Sequence, residues 1–425
     1  MAPQPFQMVR DIKAMDDGDW AALRSEAEQL FTPGTAIKEQ DLFAGRQEQI
    51  AKLAQRIRLS GGHAVIYGER GVGKSSLVNI FRYVADASPS RVQYIRVAVT
   101  DGDDYNALFS KIFKRMVLEE DGKKNRLSDL YEGRQITPDD VLLEFENFSG
   151  STIPIIVVDE FDRLKDQRAK NLVSDTIKLI SDEAVNATFF IVGVSDAVED
   201  LLHGHESIGR ALSQVEMPRM SDGEIIDIVN RRLKRAGIKV TSEAIWDCVF
   251  ICKGLPHYAH LLGLHAMQSV CDRKAIIIER KDIEEASKRA LLDANQSIKA
   301  GFERAVYSER PDNIFKHVLI ACALAQKDSF GQFTAKSVAR ILSEITGEKF
   351  DVPAFSYHLN EFCEPTRGPI LKKIGQTRRF TFRFVEAMME AYCIMEGMNR
   401  KIISNKIVEQ NRPKRQPDLF SAIVS

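Results

Sequence analysis

The stretch "VIYGERGVGKSSLVNIF", Val65–Phe81, contains the pattern G-x-x-x-x-G-K-S from Gly68 to Ser75. This spacing is that of a phosphate-binding loop. An apolar, β-prone run precedes it and a run with helical periodicity follows it, which is the strand–loop–helix order that the motif needs. The stretch therefore predicts a nucleoside triphosphate site on an α/β sheet. The alternative is a glycine turn that joins a strand to a helix and binds nothing.

The residue types in this loop suit phosphate chemistry. Its glycines let the backbone turn sharply and approach a ligand without a Cβ in the way. Successive N–H groups and the following helix N-terminus then face phosphate oxygens. The Lys74 ammonium can reach the β and γ phosphates, and the Ser75 hydroxyl can ligate Mg²⁺. The predicted nucleotide-binding residues of the loop are Gly68, Glu69, Arg70, Gly71, Val72, Gly73, Lys74, Ser75 and Ser76.

Composition limits the classes of partner. The chain has 425 residues, enough for two or three domains, and its net charge is −1. No global charge therefore favours nucleic acid or a membrane surface, and such a partner would need a local patch. The six cysteines form no C-x-x-C pair, and Cys248 and Cys252 lie four apart in an apolar helical stretch. Buried thiols are a better interpretation of that pair than metal ligands.

Targeting signals are not evident. The first twenty residues have no apolar core of the signal-peptide kind, and no stretch approaches eighteen apolar residues. We therefore expect a cytoplasmic protein with no membrane partner.

A second motif supplies carboxylates. In "TIPIIVVDEFDRL", residues 152–164, the apolar run Ile155–Val158 ends in Asp159 and Glu160. Ligands of parallel α/β sheets bind beyond the carboxyl ends of strands, where Asp159 can hold Mg²⁺ through water opposite Ser75. Glu160 is placed to orient and deprotonate a water molecule as a general base. The alternative is an acidic strand end at a solvated edge. No N-K-x-D motif for guanine occurs, so ATP and Mg²⁺ are the predicted cofactors.

A third segment, "FFIVGVSDAVEDLLHGHESIGRAL", covers residues 189–212. Ser195 and Asp196 follow a predicted strand, so either could bond the γ-phosphate or the attacking water; a simple helix N-cap is the alternative, and Ser195 could serve both roles. Arg210 could neutralise transition-state charge in a neighbouring subunit, or could be an ordinary surface arginine.

The order of these motifs, followed by a helical bundle with "GLPHYAHLL", resembles AAA+ ATPases, above all the origin-recognition initiators and the helper ATPases of transposition. The resemblance covers roughly residues 36–300. It implies an adenine-side segment "DLFAGR" with Phe43, sensor-1 at Ser195 or Asp196, an arginine finger at Arg210 and a homo-oligomer. It places sensor-2 at His257, where the usual residue is Arg. A neutral imidazole gives a γ-phosphate less charge than a guanidinium, so either the ATPase is slow and switch-like or His257 is structural.

The C-terminal part resembles a winged helix. Helices are predicted at about 313–327, 334–346 and 353–363, then a hairpin in "PILKKIGQTRRFTFRF". Alternation places Phe380, Phe382 and Phe384 on the core face. The basic hairpin predicts contact with the backbone of duplex DNA, and the third helix offers base contacts; binding only to protein is the alternative. The predicted DNA-binding residues are Tyr357, His358, Asn360, Lys372, Lys373, Arg378, Arg379 and Arg383, with Arg367 nearby in the same basic stretch.

The predicted fold class is α/β: a P-loop parallel sheet with helices on both faces, an α-helical lid and a C-terminal winged helix. The predicted strands are His63–Tyr67, Val92–Val99, Ile153–Asp159 and Thr188–Val194, which are nearly continuous apolar runs. The predicted domains are an N-terminal arm at 1–40, the P-loop domain at 41–220, the lid at 221–307, the winged helix at 312–400 and a basic tail at 401–425.

The sequence is also compatible with two other functions. One is a signalling ATPase of a defence system, whose C-terminal domain binds a partner effector protein. The other is a scaffold that holds ATP without hydrolysing it. His257 in place of Arg favours the scaffold, and the intact Asp159–Glu160 pair opposes it.

Overall fold

The structure is a computed structural model, in which the described residues divide into two compact units. The sheet unit spans Ala36–Glu69 and Gly73–Met217, and the helical unit spans Met1–Thr35, Arg70–Val72 and Pro218–Ser425. The residues that the structure describes are 15–87, 91–120, 123–148, 152–194, 212–310, 312–328, 331–375 and 380–411.

The sheet unit contains a five-stranded parallel sheet in the order β2–β5–β6–β1–β7. The four predicted strands are present, with two ends shifted by one residue. A fifth strand, β7, was not predicted, because "LSQVE" is short and lacks a continuous apolar run. The strands of this unit are β1 (His63–Gly68), β2 (Val92–Ala98), β3 (Val117–Glu120), β4 (Lys123–Arg126), β5 (Ile153–Asp159), β6 (Thr188–Val194) and β7 (Leu212–Glu216); β3 and β4 form a separate antiparallel hairpin.

Helices pack on this sheet over an aromatic core. Phe189 of β6 is fully buried, and its ring contacts those of Phe109 and Phe145. Because both neighbours come from helices, the buried β6 joins the sheet to its covering layer. Helix α1 (Asp17–Leu30) belongs to the helical unit; those of the sheet unit are α2 (Gln47–Arg56), α3 (Lys74–Asp86), α4 (Tyr105–Phe113), α5 (Pro138–Phe148) and α6 (Gln167–Asp182).

The helical unit begins its main bundle at a well-defined cap. The Ser221 hydroxyl accepts from the backbone N–H of Glu224, whose side chain accepts from Ser221 N, and Gly237 ends the helix at φ 71°. The stretch "SDGEIIDIVNRRLKRAG", residues 221–237, carries the sequence pattern that predicts this capping box and this glycine end. The bundle comprises α7 (Asp222–Ala236), α8 (Ser242–Cys252), α9 (Pro256–Asp272), α10 (Arg280–Asp293) and α11 (Gln296–Val306), with a two-stranded sheet of β8 (Lys239–Val240) and β9 (Ile277–Ile278).

Helix α8 carries the cysteine pair. Cys248 and Cys252 are buried and not in disulfides, and their sulfur atoms lie 3.8 Å apart. Burial of this pair, predicted from the apolar helix, is confirmed.

The C-terminal part has the helix and strand order of a winged helix. Three short strands form an antiparallel sheet in the order β10–β12–β11, and Phe333, Phe382 and Phe384 bury their rings against it. Together with the parallel sheet, this confirms the predicted fold class. The elements are α12 (Phe315–Leu324), β10 (Phe333–Thr334), α13 (Ala335–Thr346), α14 (Val352–Glu361), β11 (Leu371–Ile374), β12 (Thr381–Phe384), α15 (Met388–Asn399) and α16 (Asn405–Asn411).

Within the described part of the chain, no helix has the length and apolar character needed to cross a membrane.

Candidate functional site

The glycines of the loop occupy conformations that other residues adopt only with strain. Gly68 has φ 149° and Gly73 has φ 96°. A Cβ on Gly68 would lie 2.5 Å from the carbonyl oxygen of Met217, which follows β7. Gly68 therefore lets the loop leave β1 beside the neighbouring strand.

Lys74 is the first residue of α3 and is 8% exposed. Its Nζ donates hydrogen bonds to the carbonyl oxygens of Gly68 (2.9 Å) and Glu69 (2.8 Å). The ammonium is thus anchored across the loop that begins with Gly68. An ammonium in this position can give up its hydrogen bond to one of these carbonyls and donate to a phosphate oxygen instead, while it stays at the loop.

Asp159 ends β5 and is 3% exposed. Its Oδ2 accepts a hydrogen bond from the Ser75 hydroxyl at 3.0 Å, and its Oδ1 accepts from the backbone N–H of Glu160 at 2.9 Å. The fold therefore brings together the hydroxyl and the carboxylate that the sequence predicts as Mg²⁺ ligands, although 84 residues separate them along the chain.

These oxygen atoms suit a hard divalent cation. Mg²⁺ is usually held by one or two carboxylates, hydroxyls and substrate phosphates rather than by a cage of side chains. Among the described residues, no three His, Cys, Asp or Glu side chains cluster as a metal site. The Ser75–Asp159 pair fits Mg²⁺ on a nucleotide better than it fits a structural metal.

Glu160 lies directly beyond the end of β5 with φ 56°, a left-handed conformation that is uncommon for a residue with a side chain. Its carboxylate accepts a hydrogen bond from Nη1 of Arg163 at 2.9 Å. Arg163 also bonds both carboxylate oxygens of Asp101, at 3.2 and 3.3 Å. The hydrogen bonds and the negative charges of Asp101 and Glu160 raise the pKa of Arg163. In turn, the hydrogen bonds and charge of Arg163 lower the pKa of Asp101. The predicted base is exposed but already paired with a cation.

Strand β6 lies between β1 and β5 in the sheet. Its last residue, Val194, donates its backbone N–H to Asp162 at 2.8 Å. The carboxyl end of β6 therefore lies between that of β1, where the phosphate loop begins, and that of β5, which carries Asp159. The predicted sensor-1 residues and the predicted arginine finger, Ser195, Asp196 and Arg210, lie outside the described residues.

The arm before α2 contacts α3. Ser76 Oγ accepts the backbone N–H of Ile37 at 3.1 Å, and Asn79 donates to the Ile37 carbonyl at 3.3 Å. Ser76, predicted to bind nucleotide, thus holds the arm. Phe43 follows a 3₁₀ turn at Gln40–Leu42 and is 9% exposed, so its side chain is largely buried.

The middle of the loop, Arg70–Val72, belongs to the helical unit. There the Arg70 guanidinium lies 3.7 Å from the Glu386 carboxylate, and Val72 is fully buried. Gly71 has φ 87°, which also favours glycine.

His257 has a structural partner in the helical unit. Its Nδ1 lies 2.8 Å from the carbonyl oxygen of Pro33, and a carbonyl can only accept, so Nδ1 carries the proton. Burial lowers the pKa of this imidazole, which the Pro33 contact only partly offsets. The neighbouring His260 accepts the backbone N–H of Thr32 at 3.0 Å. The geometry supports the structural alternative for His257 that the sequence left open.

The predicted DNA-binding residues fall into four pairs. Tyr357 is 62% exposed, whereas His358 is half-buried with its ring 4.5 Å from that of Phe315. Lys373 donates to the Asn360 side chain at 2.9 Å, which joins the hairpin to α14. Lys372 and Arg383 face each other in the β11–β12 register. Arg378 and Arg379 lie outside the described residues.

Arg367 has a packing role. Its guanidinium lies 3.6 Å from the centre of the Phe315 ring, and its Nη1 donates to the carbonyl oxygens of Ala305 and Tyr307 at 2.8 Å each. Such a side chain caps the C-terminal end of α11.

Several residues of the site were not predicted from the sequence. Arg96 and Asn79 contact Asp159 directly or through one another, and Arg163 and Asp101 bind Glu160. A signal for Arg96 exists, since "VQYIRVAV" puts one charged residue inside a strand that otherwise reads as buried. Arg163 has no comparable signal, because an arginine three residues after a carboxylate is common at exposed turns.

Three comparisons place this geometry among known proteins. A curated relative from Methanocaldococcus jannaschii, described as an uncharacterized HTH-type transcriptional regulator, is 23% identical over 292 residues, which cover 60% of this chain and 69% of the relative. The ORC2 protein of Aeropyrum pernix, solved as ADPNP–ADP complexes, aligns over 93% of this chain and 98% of its own, with TM-score 0.52 and 14% identity. A Walker-type ATPase of Pyrococcus abyssi aligns over 86% and 99%, with TM-score 0.52 and 16% identity.

At these identities the solved structures show a shared fold, and in fold the predicted resemblance to origin-recognition proteins is confirmed. The sequence model of one family, Novel STAND NTPase 1, matches residues 36–274, which is more than half of the chain and includes the loop, Asp159 and Glu160. The chain therefore belongs to the Novel STAND NTPase 1 family.

Proposed function

We propose that this chain is a Mg²⁺-dependent ATPase switch that hydrolyses ATP slowly, works as a homo-oligomer and contacts duplex DNA through its winged helix. The observation that carries the proposal is the 3.0 Å hydrogen bond between Ser75 and Asp159 at the end of β5. It joins the helix that begins at the phosphate loop to the strand that presents the acidic pair. Membership of an NTPase family supports the same chemistry.

Each residue has a distinct task in this proposal. Lys74 and the loop amides bind phosphates, and Ser75 and Asp159 hold Mg²⁺, which supplies positive charge to the phosphates when bound. Glu160 orients a water molecule and accepts its proton. Before it can do so, the carboxylate has to leave Arg163, which is one reason for slow turnover.

A neutral His257 is a second reason for a slow enzyme. Its Nδ1–H is committed to Pro33, so the ring offers only an acceptor nitrogen elsewhere. An acceptor gives no stabilisation to phosphate oxygens. In this proposal the charge of the transition state is met by Lys74 and by Arg210 acting in trans, which makes activity dependent on assembly.

The test uses two substitutions with different expected outcomes. Lys74→Ala should remove nucleotide binding, measured by the fluorescence of a labelled ATP. Glu160→Gln should keep binding and reduce turnover by at least about a hundredfold, since general-base catalysis contributes that much. Wild-type turnover in Glu160→Gln would overturn the base assignment, and nucleotide binding by Lys74→Ala would overturn the loop assignment.

Oligomer assembly and the role of Arg210 as an arginine finger are tested together. Size-exclusion chromatography with ATP, with ADP and without nucleotide, each with and without duplex DNA, should show a larger species with ATP. Arg210→Ala should then assemble but hydrolyse ATP slowly. If Arg210→Ala assembles and hydrolyses ATP at the wild-type rate, another group completes the site.

DNA contact rests on the exposed basic hairpin and on the name of the Methanocaldococcus relative. The signalling alternative shares the nucleotide chemistry and differs in its C-terminal partner. Binding to duplex DNA that weakens with salt supports the DNA function. No binding at low salt would favour a partner protein.

A further inference from the structure

Arg96 links three parts of the sheet unit. It lies in the middle of β2, and its Nε donates to Asp159 Oδ2 at 3.2 Å, while Nη2 reaches the same oxygen. Its Nη1 donates to the side-chain oxygen of Asn79 on α3 at 2.5 Å. The guanidinium is therefore fixed at two ends, one on the acidic strand and one on the helix that follows the phosphate loop.

The contact with Asp159 is selective for one oxygen. Oδ2 receives Ser75 Oγ–H and both Arg96 nitrogens, whereas Oδ1 receives the backbone N–H of Glu160. The Asp159 side chain is 4% exposed and that of Arg96 is 32% exposed. Water screens the Arg96 charge only in part, so a second cation near Oδ2 would be repelled.

We infer that Arg96 is a positioning residue that holds the Asp159 carboxylate in place and, by its charge, raises the concentration of divalent cation needed to fill the nucleotide site. This rests on the proposed function of that site. Two cations near one buried carboxylate compete for it, so the positive charge of the Arg96 guanidinium weakens the binding of Mg²⁺. The fork of the guanidinium also fixes which oxygen faces Ser75.

The same residue connects the carboxylate to the arm. Asn79 receives Arg96 through its oxygen and donates through its nitrogen to the Ile37 carbonyl at 3.3 Å. Ile37 in turn donates its N–H to Ser76, the residue after Ser75. If the Arg96 guanidinium moves when a cation binds near Asp159, the displacement is passed to the arm through the side chain of Asn79.

The experiment uses the full chain with a labelled ADP, titrated with MgCl₂ and also measured in EDTA. For Arg96→Gln we expect unchanged affinity in EDTA and a fall of about three- to tenfold in the Mg²⁺ concentration that gives half-maximal tightening. Arg96→Lys keeps the charge and should need as much Mg²⁺ as the wild type. Arg82→Gln removes an exposed arginine of α3 that pairs with Asp86, and serves as the matched control with no expected change.

A second readout follows the arm. Hydrogen-exchange mass spectrometry of peptides covering residues 36–43 should show a Mg²⁺-dependent change in the ADP-bound wild type. Arg96→Lys should lose that change, because an ammonium cannot hold Asp159 and Asn79 together. This variant keeps the inference testable if Arg96→Gln does not fold.

The outcomes separate the two proposals. A wild type that binds no nucleotide overturns the proposed function and this inference with it. A wild type that binds nucleotide, with Arg96→Gln needing as much Mg²⁺ or more, overturns only the role of Arg96. If residues 36–43 of the ADP-bound wild type exchange hydrogen equally fast with and without Mg²⁺, the link through Asn79 is overturned.

Discussion

The Glu160 carboxylate is bound by Arg163, at 2.9 Å, and Arg163 is held from its other side by Asp101. The pair Asp159–Glu160 is therefore divided: the first carboxylate is buried on β5, and the second is exposed and engaged with a cation. Arg163 engages one oxygen of the Glu160 carboxylate, so the side chain is oriented towards the guanidinium rather than left free to turn towards a water molecule. The Glu160 carboxylate therefore stays in this orientation until Arg163 moves.

Arg163→Ala should raise basal ATP turnover. The substitution frees Glu160, and because all partners are exposed, we expect an increase of about two- to fivefold rather than a larger one. Nucleotide affinity should not change, since Arg163 lies beyond the loop. Steady-state kinetics at saturating ATP measures the effect, with Lys165→Ala as the control on the same turn. A loss of turnover in Arg163→Ala would mean that Arg163 helps to orient Glu160 instead.

The sheet unit should lose stability in acid because of His63. Burial lowers the pKa of this imidazole to about 3, and its Nδ1 accepts the backbone N–H of Phe189. The unfolded chain binds a proton near pH 6.5 while the folded chain does not. Stability is therefore complete above pH 6.5 and falls by about 1.4 kcal/mol per pH unit as the pH drops towards 3.

His63→Asn tests this assignment. The amide oxygen can still accept from Phe189 but does not titrate, so the variant should be less stable at pH 7 and lose less stability at pH 5. Both tryptophans, Trp20 and Trp246, lie in the helical unit, so hydrogen exchange of the β1 and β6 peptides, corrected for intrinsic rates, is the suitable measurement. An equally steep loss in His63→Asn would assign the acid sensitivity to other groups.

The parts of this protein that the sequence predicted share one property: they depend on local pattern. The four strands are long apolar runs, and the cap of α7 is set by Ser221, Glu224 and Gly237 within one helix. The Ser75–Asp159 pair also follows from local motifs, because parallel strands bring their carboxyl ends to one edge. Each motif fixes its own strand or turn, and the sheet then assembles the site.

What the sequence did not predict depends on contacts between distant segments. Arg96 binds Asp159 across 63 residues, and His257 binds Pro33 across 224. Neither spacing leaves a pattern. For His257 the family resemblance suggested a nucleotide contact, while the backbone carbonyl that occupies its Nδ1 could be seen only in the fold.

Lys372→Glu should weaken binding to duplex DNA and reduce its salt dependence. Lys372 is exposed on β11, opposite Arg383. If it contacts a phosphate, the slope of log K against log salt should fall by about one, uniformly across DNA sequences. Fluorescence anisotropy between low and moderate salt measures the slope. Lys178→Glu, on α6 of the sheet unit, is the control with the same change of charge.

A buried carboxylate on α15 should be needed for the fold of the helical unit. Glu390 is fully buried, and its two oxygens lie 2.6 Å from Arg219 and 2.9 Å from Lys327. Burial alone would raise the pKa of Glu390, but Arg219, Lys327 and Lys253 outweigh it and lower the pKa. The carboxylate is thus charged at every pH above the usual pKa of Glu, where its contribution to the stability of the fold is complete. That contribution is lost as the pH falls through the lowered pKa.

Glu390→Gln leaves three cations around a neutral amide. Removing one partner of a buried ion pair costs about 3 kcal/mol or more, because the remaining charge is left without compensation. Denaturant unfolding followed by tryptophan fluorescence reports the helical unit, which holds both indoles. Lys327→Met combined with Glu390→Gln should be less destabilised than the sum of the two single variants, since the double variant removes a cation together with the anion. Additive effects would show that Glu390 and Lys327 do not interact energetically, and Arg219 would then be the cation that stabilises the buried carboxylate.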